Sequence, residues 1–555
     1  MEQSRLLIAI VLSLAIFLAW QFFFRPDEAQ RRQAKKVESP AVEEKQTVKD
    51  TEKPYKETIE KPASVEESIV EETPLKKAAT ITIDTPLYQA KISENGAVFY
   101  SCLLKNYHEK VQKDSPLKQI LTDKATLGVG RLGFSGKSIV GLDKAVFTAN
   151  LPFKKLEVNN SPQDLTFLWR SADGIVVEKT YKFVPDSYAI SLVVTIKNGS
   201  GHSIQDKLFV ALNSKAPHAK QRYAFEGPSA YINDKLEEIK IKKIKEKNTF
   251  EGKIKWVALQ SRYFMSGLIP DQIEESSLYL ALKSENFLAA RYIQPEKVIQ
   301  PGTQHTFKFQ LFLGPKSMKE LKPIGHDLDK LIDFGWFDFI AKPCVWLMNL
   351  FYSVIPNYGV AIIILTILVK LLLWPLGQKS YKSMSEMKKI QPLMKEIREK
   401  YKDDKQRMNQ EVMGLYRTYK INPLGGCLPM VVQLPVFFAL YRMLYEAIEL
   451  RHAPFFLWIN DLSAPDRLFR FDFSIPFMQP PYGIPVLTIV MGASMLLQQK
   501  MSPPMGDATQ AKMMMFMPII FTVIFINFSS GLVLYWLVNN ILSIAQQYYT
   551  QKKYA

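Results

Sequence analysis

The sequence predicts a polytopic α-helical membrane protein with six transmembrane helices, a large β-rich domain outside the membrane and a cytoplasmic helical hairpin. Three observations predict it. Apolar residues concentrate at the two ends of the 555-residue chain, in runs close to the ~20 residues that a bilayer requires. Between them lies a long region in which hydrophobic residues recur with period two and turn signals punctuate the runs, the pattern of half-buried strands. Part of the formal net charge of +17 is localised between two apolar runs, where Gln378 to Asn422 holds twelve Lys or Arg against six acids. Such a loop is cytoplasmic by the positive-inside rule.

The elements follow in chain order. Leu6 to Phe24, "LLIAIVLSLAIFLAWQFFF", is longer than a signal-peptide core and is followed by "RPDEAQRR" rather than a small-residue cleavage site, so residues 1–25 read as an uncleaved anchor. Residues 26–80 are rich in Glu, Lys, Pro, Thr and Ser with few aromatics; they cannot bury enough apolar surface to offset ordering entropy and read as a disordered tether. From Ile81 the chain alternates, as in "ITIDTPLYQAKI", "GIVVEKTYKFV", "YAISLVVTIKN" and "HTFKFQLFLG", with "ENG" and "NGSG" as turns. Residues 81–325 are therefore predicted as a β-sandwich domain, with "IKIKKIKEK" a solvated strand or loop rather than a nucleic-acid signature. Residues 326–355 contain an aromatic, amphipathic stretch interrupted by Asp338 and Lys342, suited to a helix lying along the bilayer.

The second span is placed at 356–376. Residues 377–422 form a hairpin of coiled-coil type, because Met387, Ile390, Met394, Ile397 and Tyr401 are spaced 3-4-3-4 and Met408, Val412, Leu415 and Tyr419 repeat the pattern after "KDDK". Pro392 should kink or offset its first helix. Residues 423–555 hold four further spans and a short basic tail, the last two spans joined by only "SSG" as a tight helical hairpin. Six spans put both termini in the cytoplasm and the β domain outside, in a periplasm, which implies a bacterial inner membrane.

Several chemistries are unsupported. Cys102, Cys344 and Cys427 are far apart and odd in number, so they read as packing residues. The six histidines show no ligand spacing, and the spans contain neither paired carboxylates nor a nucleophile–base arrangement. No metal, cofactor or enzymatic activity is expected.

What the spans do contain is polar residues. Lys370 lies within "TILVKLLLWP", where a charge near mid-span would cost roughly 2.5–3.5 kcal/mol on insertion scales. It could snorkel toward Trp374, about 6 Å away along the helix at 1.5 Å per residue. Thr366, at i−4, shares its face. Gln433 in the third span, Ser494 and Gln498 in the fourth, and Trp536, Asn539, Asn540, Ser543 and Gln547 in the sixth add polar faces. Singly, such residues are interhelical glue; together with Lys370 they point to a shared hydrated cavity. Arg442, with Glu446 at i+4, should reach the outer interface.

The segment "DDKQRMNQEVMGLYRTYKINPLGGCLPMVVQLPVFFALYRML", with "ELRHAPFFLWINDLSAPD", "QQKMSP", "FMPIIFTVIF" and "SSGLVLYWLVNN", closely resembles the YidC family of membrane protein insertases, whose relatives operate in mitochondria and chloroplasts. The N-terminal anchor, tether and β domain resemble its Gram-negative form more loosely. The resemblance implies a five-helix core enclosing a hydrophilic groove, a β-super-sandwich in the periplasm, and no cofactor. It places Lys370 where many members carry arginine, Gln433 and Asn539 at groove-lining positions, and Thr366, Tyr535 and Trp536 at positions of substrate contact. Lysine keeps the charge but loses the guanidinium fork. The implied partners are nascent inner-membrane proteins, the Sec translocon, the lipid bilayer, and ribosome or targeting factors at the basic hairpin. A small-solute transporter or channel is the alternative reading, and a structural anchor a third.

Overall fold

The computed structural model describes residues 78–554 except 113, 125–127, 137, 140, 152–153, 217–223, 284–286, 420, 422–427 and 503–507. The expected anchor and nearly all of the expected tether lie outside the described residues, as does Cys427. The first strand opens one residue earlier than the alternation suggests. Ala79 and Glu94 exchange hydrogen bonds, and Thr80 opens the first strand.

The β region contains a five-stranded sheet and a thirteen-stranded sheet. At the heart of the larger one, β1 (Ile175–Phe183) pairs antiparallel with β2 (Ala189–Asn198). Strand β3 (Thr249–Gln260) pairs with β4 (Phe264–Pro270), β4 with β5 (Gln304–Pro315), and β5 with β2. Burial alternates along β1 and β2 as period two demands, so Val177, Tyr181 and Phe183 point into the core. There Tyr181 meets Phe99 edge-on, with ring centroids 4.9 Å apart. Lys179 occupies an inward position of the same strand, a placement the sequence reading passed over. The "IKIKKIKEK" stretch differs from expectation: Ile241–Ile244 is a single helical turn, wound around buried Ile244.

Among the described residues nine longer helices follow. Helix α1 (Asp338–Val354) buries Ala341, Cys344, Val345 and Met348, and leaves Phe339, Trp346, Leu350 and Val354 exposed. The Asp338–Lys342 pair, at 2.8 Å, bridges one turn of it. Helix α2 (Tyr358–Leu372), capped by Asn357, meets α3 (Trp374–Lys389) at a 64° bend. Pro375 explains the break: it suits the first turn of a new helix and cannot continue the old one. "WP" thus starts a helix where the sequence reading ended a span.

Helices α4 (Gln391–Lys400) and α5 (Lys405–Thr418) pack around Met387, Ile390 and Met394. Pro392 divides α4 from α3 rather than kinking one helix, and Tyr416 packs against this cluster while Tyr419 is exposed. Helices α6 (Leu428–Glu446), α7 (Val486–Met501), α8 (Ala508–Phe525) and α9 (Ser530–Tyr554) complete the chain. Ser530 and Gly531 already belong to α9, which runs along α7, α2 and α3 rather than along α8. Among the described residues no single helix is both long and apolar enough to cross a membrane; the bent pair α2–α3 meets the requirement together, by length and composition only.

The β region is clamped to the helices through arginines. Arg262 donates from Nε and one Nη to the Tyr445 carbonyl at 2.9 and 2.6 Å, with its guanidinium 3.7 Å from the Tyr445 ring centroid. Arg451 donates to the carbonyl of His108. Arg442 behaves as its spacing suggests, pairing with Glu446 at 3.1 Å, and also reaches the Asp333 carbonyl.

Candidate functional site

The candidate site grows from one face of α9. Asn540, Ser543, Gln546, Gln547 and Thr550 recur at three- and four-residue spacing and are all buried. In an apolar setting such groups need partners, and neighbouring helices supply them. Asn540 Nδ2 donates to Ser494 Oγ of α7 at 3.1 Å, and Gln551 Nε2 to the Met501 carbonyl at 3.0 Å. Gln547 Nε2 reaches Ser502 Oγ just beyond α7 at 3.3 Å. Gln546 Nε2 donates to the Trp374 carbonyl at the α2–α3 bend, at 2.9 Å. Close approach there depends on Gly377, where an added Cβ would lie 2.7 Å from the Gln546 amide nitrogen. The carboxamide oxygens of Gln546 and Gln547 accept no hydrogen bond from a described residue.

Lys370 enters this polar seam from the last turn of α2. Its Nζ donates to Ser543 Oγ at 2.6 Å, and Ser543 in turn donates to the Asn539 carbonyl at 2.7 Å. The Tyr381 side chain hydrogen-bonds with both Ser543 and Gln498. Among the described residues Lys370 has no carboxylate partner within ion-pair distance. The group is a cation held by one neutral hydroxyl oxygen among the described residues, next to a lining of amides and hydroxyls. A cation so placed can attract an anionic or strongly polar guest. Among the described residues no cluster of His, Cys, Asp and Glu could hold a metal ion.

The six residues expected at the site do not converge on one point. Lys370 lies in the seam, and Asn539 meets it only through its backbone carbonyl, which accepts from Ser543 one turn on. Gln433 and Tyr535 form a second, separate pair: Tyr535 is only 3 % exposed and its hydroxyl meets the Gln433 side chain. A phenol facing lipid would leave that hydroxyl without a partner; Tyr535 turns inward instead. Trp536 wedges between α6 and α8, with ring centroids 4.6 Å from Phe437 and 4.9 Å from Phe525. Thr366 is buried and donates to its own helix at the Ile362 carbonyl, 2.6 Å away, instead of joining Lys370. Tyr381 was missed. It lies beyond "WP", in a stretch that reads as a cytoplasmic loop, and helical spacing from Lys370 does not carry across the break at Pro375.

The family model described as "60Kd inner membrane protein" matches residues 350–555, and that described as "YidC periplasmic domain" matches residues 80–347. The Membrane protein insertase YidC of Syntrophus aciditrophicus is 41% identical over 561 residues, covering 99% of each chain. That of Syntrophobacter fumaroxidans is 39% identical, covering 99% of this chain and 100% of its own. Among solved structures, one titled "Active YidC insertase crystal structure with the first transmembrane domain resolved" is 18% identical, with a TM-score of 0.36, and covers 86% of this chain and 93% of its own. That score is too low to fix the arrangement of the helices.

Proposed function

The chain belongs to the YidC family of membrane protein insertases, and from that premise we propose how its residues carry out insertion in the inner membrane. A client's short polar or acidic flank is drawn to Lys370 and enters the seam between α9, α7 and the α2–α3 bend. The flank exchanges water for the amides and hydroxyls of Asn540, Ser543, Gln546 and Gln547, which lowers its desolvation cost on the way across. Its hydrophobic segment moves past Trp536 and the surrounding aromatic side chains of α6 and α8, with Gln433 and Tyr535 parting to admit it. Burial of that segment in lipid then drives release. No cofactor takes part.

The observation that supports this reading above all is the Lys370–Ser543 contact of 2.6 Å, a positive charge with a neutral partner inside a buried polar seam. The spare carboxamide oxygens of Gln546 and Gln547 add acceptor capacity for polar donors of a guest. In the same proposal the chain crosses the membrane six times with both termini cytoplasmic and residues 81–325 in the periplasm. The basic α3–α5 region receives nascent chains from ribosome or targeting factors, and the protein also works beside the Sec translocon.

Depletion of the native protein with complementation tests the electrostatic step on a small client with an acidic flank. Lys370→Arg should support insertion, Lys370→Ala should slow it, and Lys370→Glu should slow it far more. Equal insertion by the Glu and Arg variants would overturn the role given to charge. Solute flux through vesicles without a client would instead favour a transporter.

A further inference from the structure

We propose that the connection between α6 and α7 is a lipid anchor, setting Leu457, Phe469 and Phe477 into the headgroup–acyl boundary of the outer leaflet. These three side chains are 85%, 69% and 82% exposed. Each also sits in the left-handed backbone region, with φ of 59°, 49° and 64°. Bulky residues rarely adopt that region, where glycine carries no penalty. The chain thus holds large apolar groups outward at positions that would be relaxed with glycine and better solvated with a polar residue. An apolar medium around the tips removes the second of these penalties, and strain retained beside exposed apolar surface is a mark of a working contact.

The tips are not on a floppy loop. Arg467 donates to the Pro481 and Ile526 carbonyls, each at 2.8 Å. Asn527 Nδ2 donates to the Phe477 carbonyl at 2.7 Å, and its Oδ1 accepts from the Gln479 amide at 2.8 Å. Strands β6 (Leu468–Phe471) and β7 (Tyr482–Ile484) pair across the hairpin. The segment is therefore pinned to the turn after α8.

That turn identifies what covers the tips. Ile519, Ile520, Val523 and Ile524 form an exposed apolar face on α8 that leads straight to Ile526 and Asn527. In a membrane protein such a face meets acyl chains, and the aromatic tips continue it at its outer end, where bulky aromatic rings favour the interface. The outer side follows from Arg451, which begins this connection and binds the His108 carbonyl of the β domain. The inference thus rests on the proposed placement of that domain in the periplasm.

The test uses the full chain in lipid vesicles, carrying Phe477→Cys with Cys427→Ser and an environment-sensitive NBD label; Cys102 and Cys344 are buried. Leu457→Cys, labelled the same way, gives a second, independent tip. The expected result is blue-shifted emission, loss of most of it with lipids brominated near the headgroup end of the acyl chain, and little quenching by aqueous iodide. Strong iodide quenching with no effect of brominated lipid would overturn the anchor. Protection from both quenchers would also overturn it, by showing that protein, such as a second copy, covers the tips. A parallel label at Lys235→Cys in the β domain, read with a membrane-impermeant maleimide, keeps the two ideas apart. Reaction of Lys235→Cys and Phe477→Cys from opposite faces would break the topology, whereas reaction from one face with an aqueous Phe477 label would break the anchor alone.

Discussion

Lys179 in the β domain and Lys370 among the helices are both drawn away from water, and the two regions treat them in opposite ways. Lys179 is 0% exposed, and its ammonium group meets three backbone carbonyls: Gly96 at 3.1 Å, Ala97 at 2.6 Å and Gly130 at 2.5 Å. A lysine has three donors, so nothing is left over. Lys370 has one hydroxyl partner among the described residues and an otherwise neutral lining. Saturation makes the first lysine a strut between the segments that bear Gly96, Ala97 and Gly130. Partial saturation leaves the second one with attraction to spare. What separates a structural from a working buried charge here is the count of donors already spoken for.

The comparison breaks first at Lys179. Lys179→Met leaves the buried Gly96 and Gly130 carbonyls without a donor and Ala97 with only the Tyr181 hydroxyl, which should lower stability by about 3–5 kcal/mol, read as earlier denaturant unfolding of the β domain with client insertion intact at low temperature. Burial, with Arg131 nearby, pushes the Lys179 pKa well below its ordinary 10.5. The unfolded state therefore binds the extra proton between the lowered value and 10.5, so stability should rise with pH across that window. The Met variant should lose this slope. At Lys370 the order of effects reverses. Lys370→Glu should reduce insertion of an acid-flanked client by about a hundredfold and Lys370→Ala by about tenfold, roughly 2.7 and 1.4 kcal/mol, while thermal unfolding in detergent scarcely moves.

Smaller changes sharpen the seam itself. Gly377→Ala would push the Gln546 carboxamide off the Trp374 carbonyl and should cost about 1 kcal/mol, detectable as a lower midpoint in detergent. Asn540→Leu removes its bond to Ser494 and should cost only about 0.6 kcal/mol, with insertion close to normal. A large loss of insertion in Asn540→Leu would mean that the seam acts as a unit and not through its charge.

Much of this was legible in the sequence, for identifiable reasons. Strands β1, β2 and β5 announce themselves because alternation directly encodes which side is buried. Lys370 stands out because a charge among leucines is an anomaly at any resolution of reading. Lys179 was equally anomalous, a lysine in the inward phase of an alternating strand, yet charged residues in strands are so often outward that the phase has to be counted to notice it. Thr366 shows a different boundary. Helical spacing fixes a face, but the rotamer decides the partner, and its hydroxyl chose the Ile362 carbonyl. Tyr381 lay beyond reach because only the 64° bend brings α3 back beside the seam, and a bend angle is not written in spacing. Contacts such as Arg451 to His108 join residues more than three hundred positions apart, and no local pattern encodes them.

The guanidinium of Arg262 has a consequence for how freely the parts of this chain can be exchanged. It supplies two donors to the carbonyl of Tyr445, one of the last-turn oxygens of α6 that the helix itself cannot satisfy. A helix in the membrane core is thus finished by a side chain from a strand-bounded turn in another region, between β3 and β4. A foreign β domain spliced onto these helices would have to present a cation at that same oxygen, or the graft would inherit a frayed helix end. Modularity in the order of the sequence is therefore not modularity in assembly: the two regions share a joint that neither can complete alone.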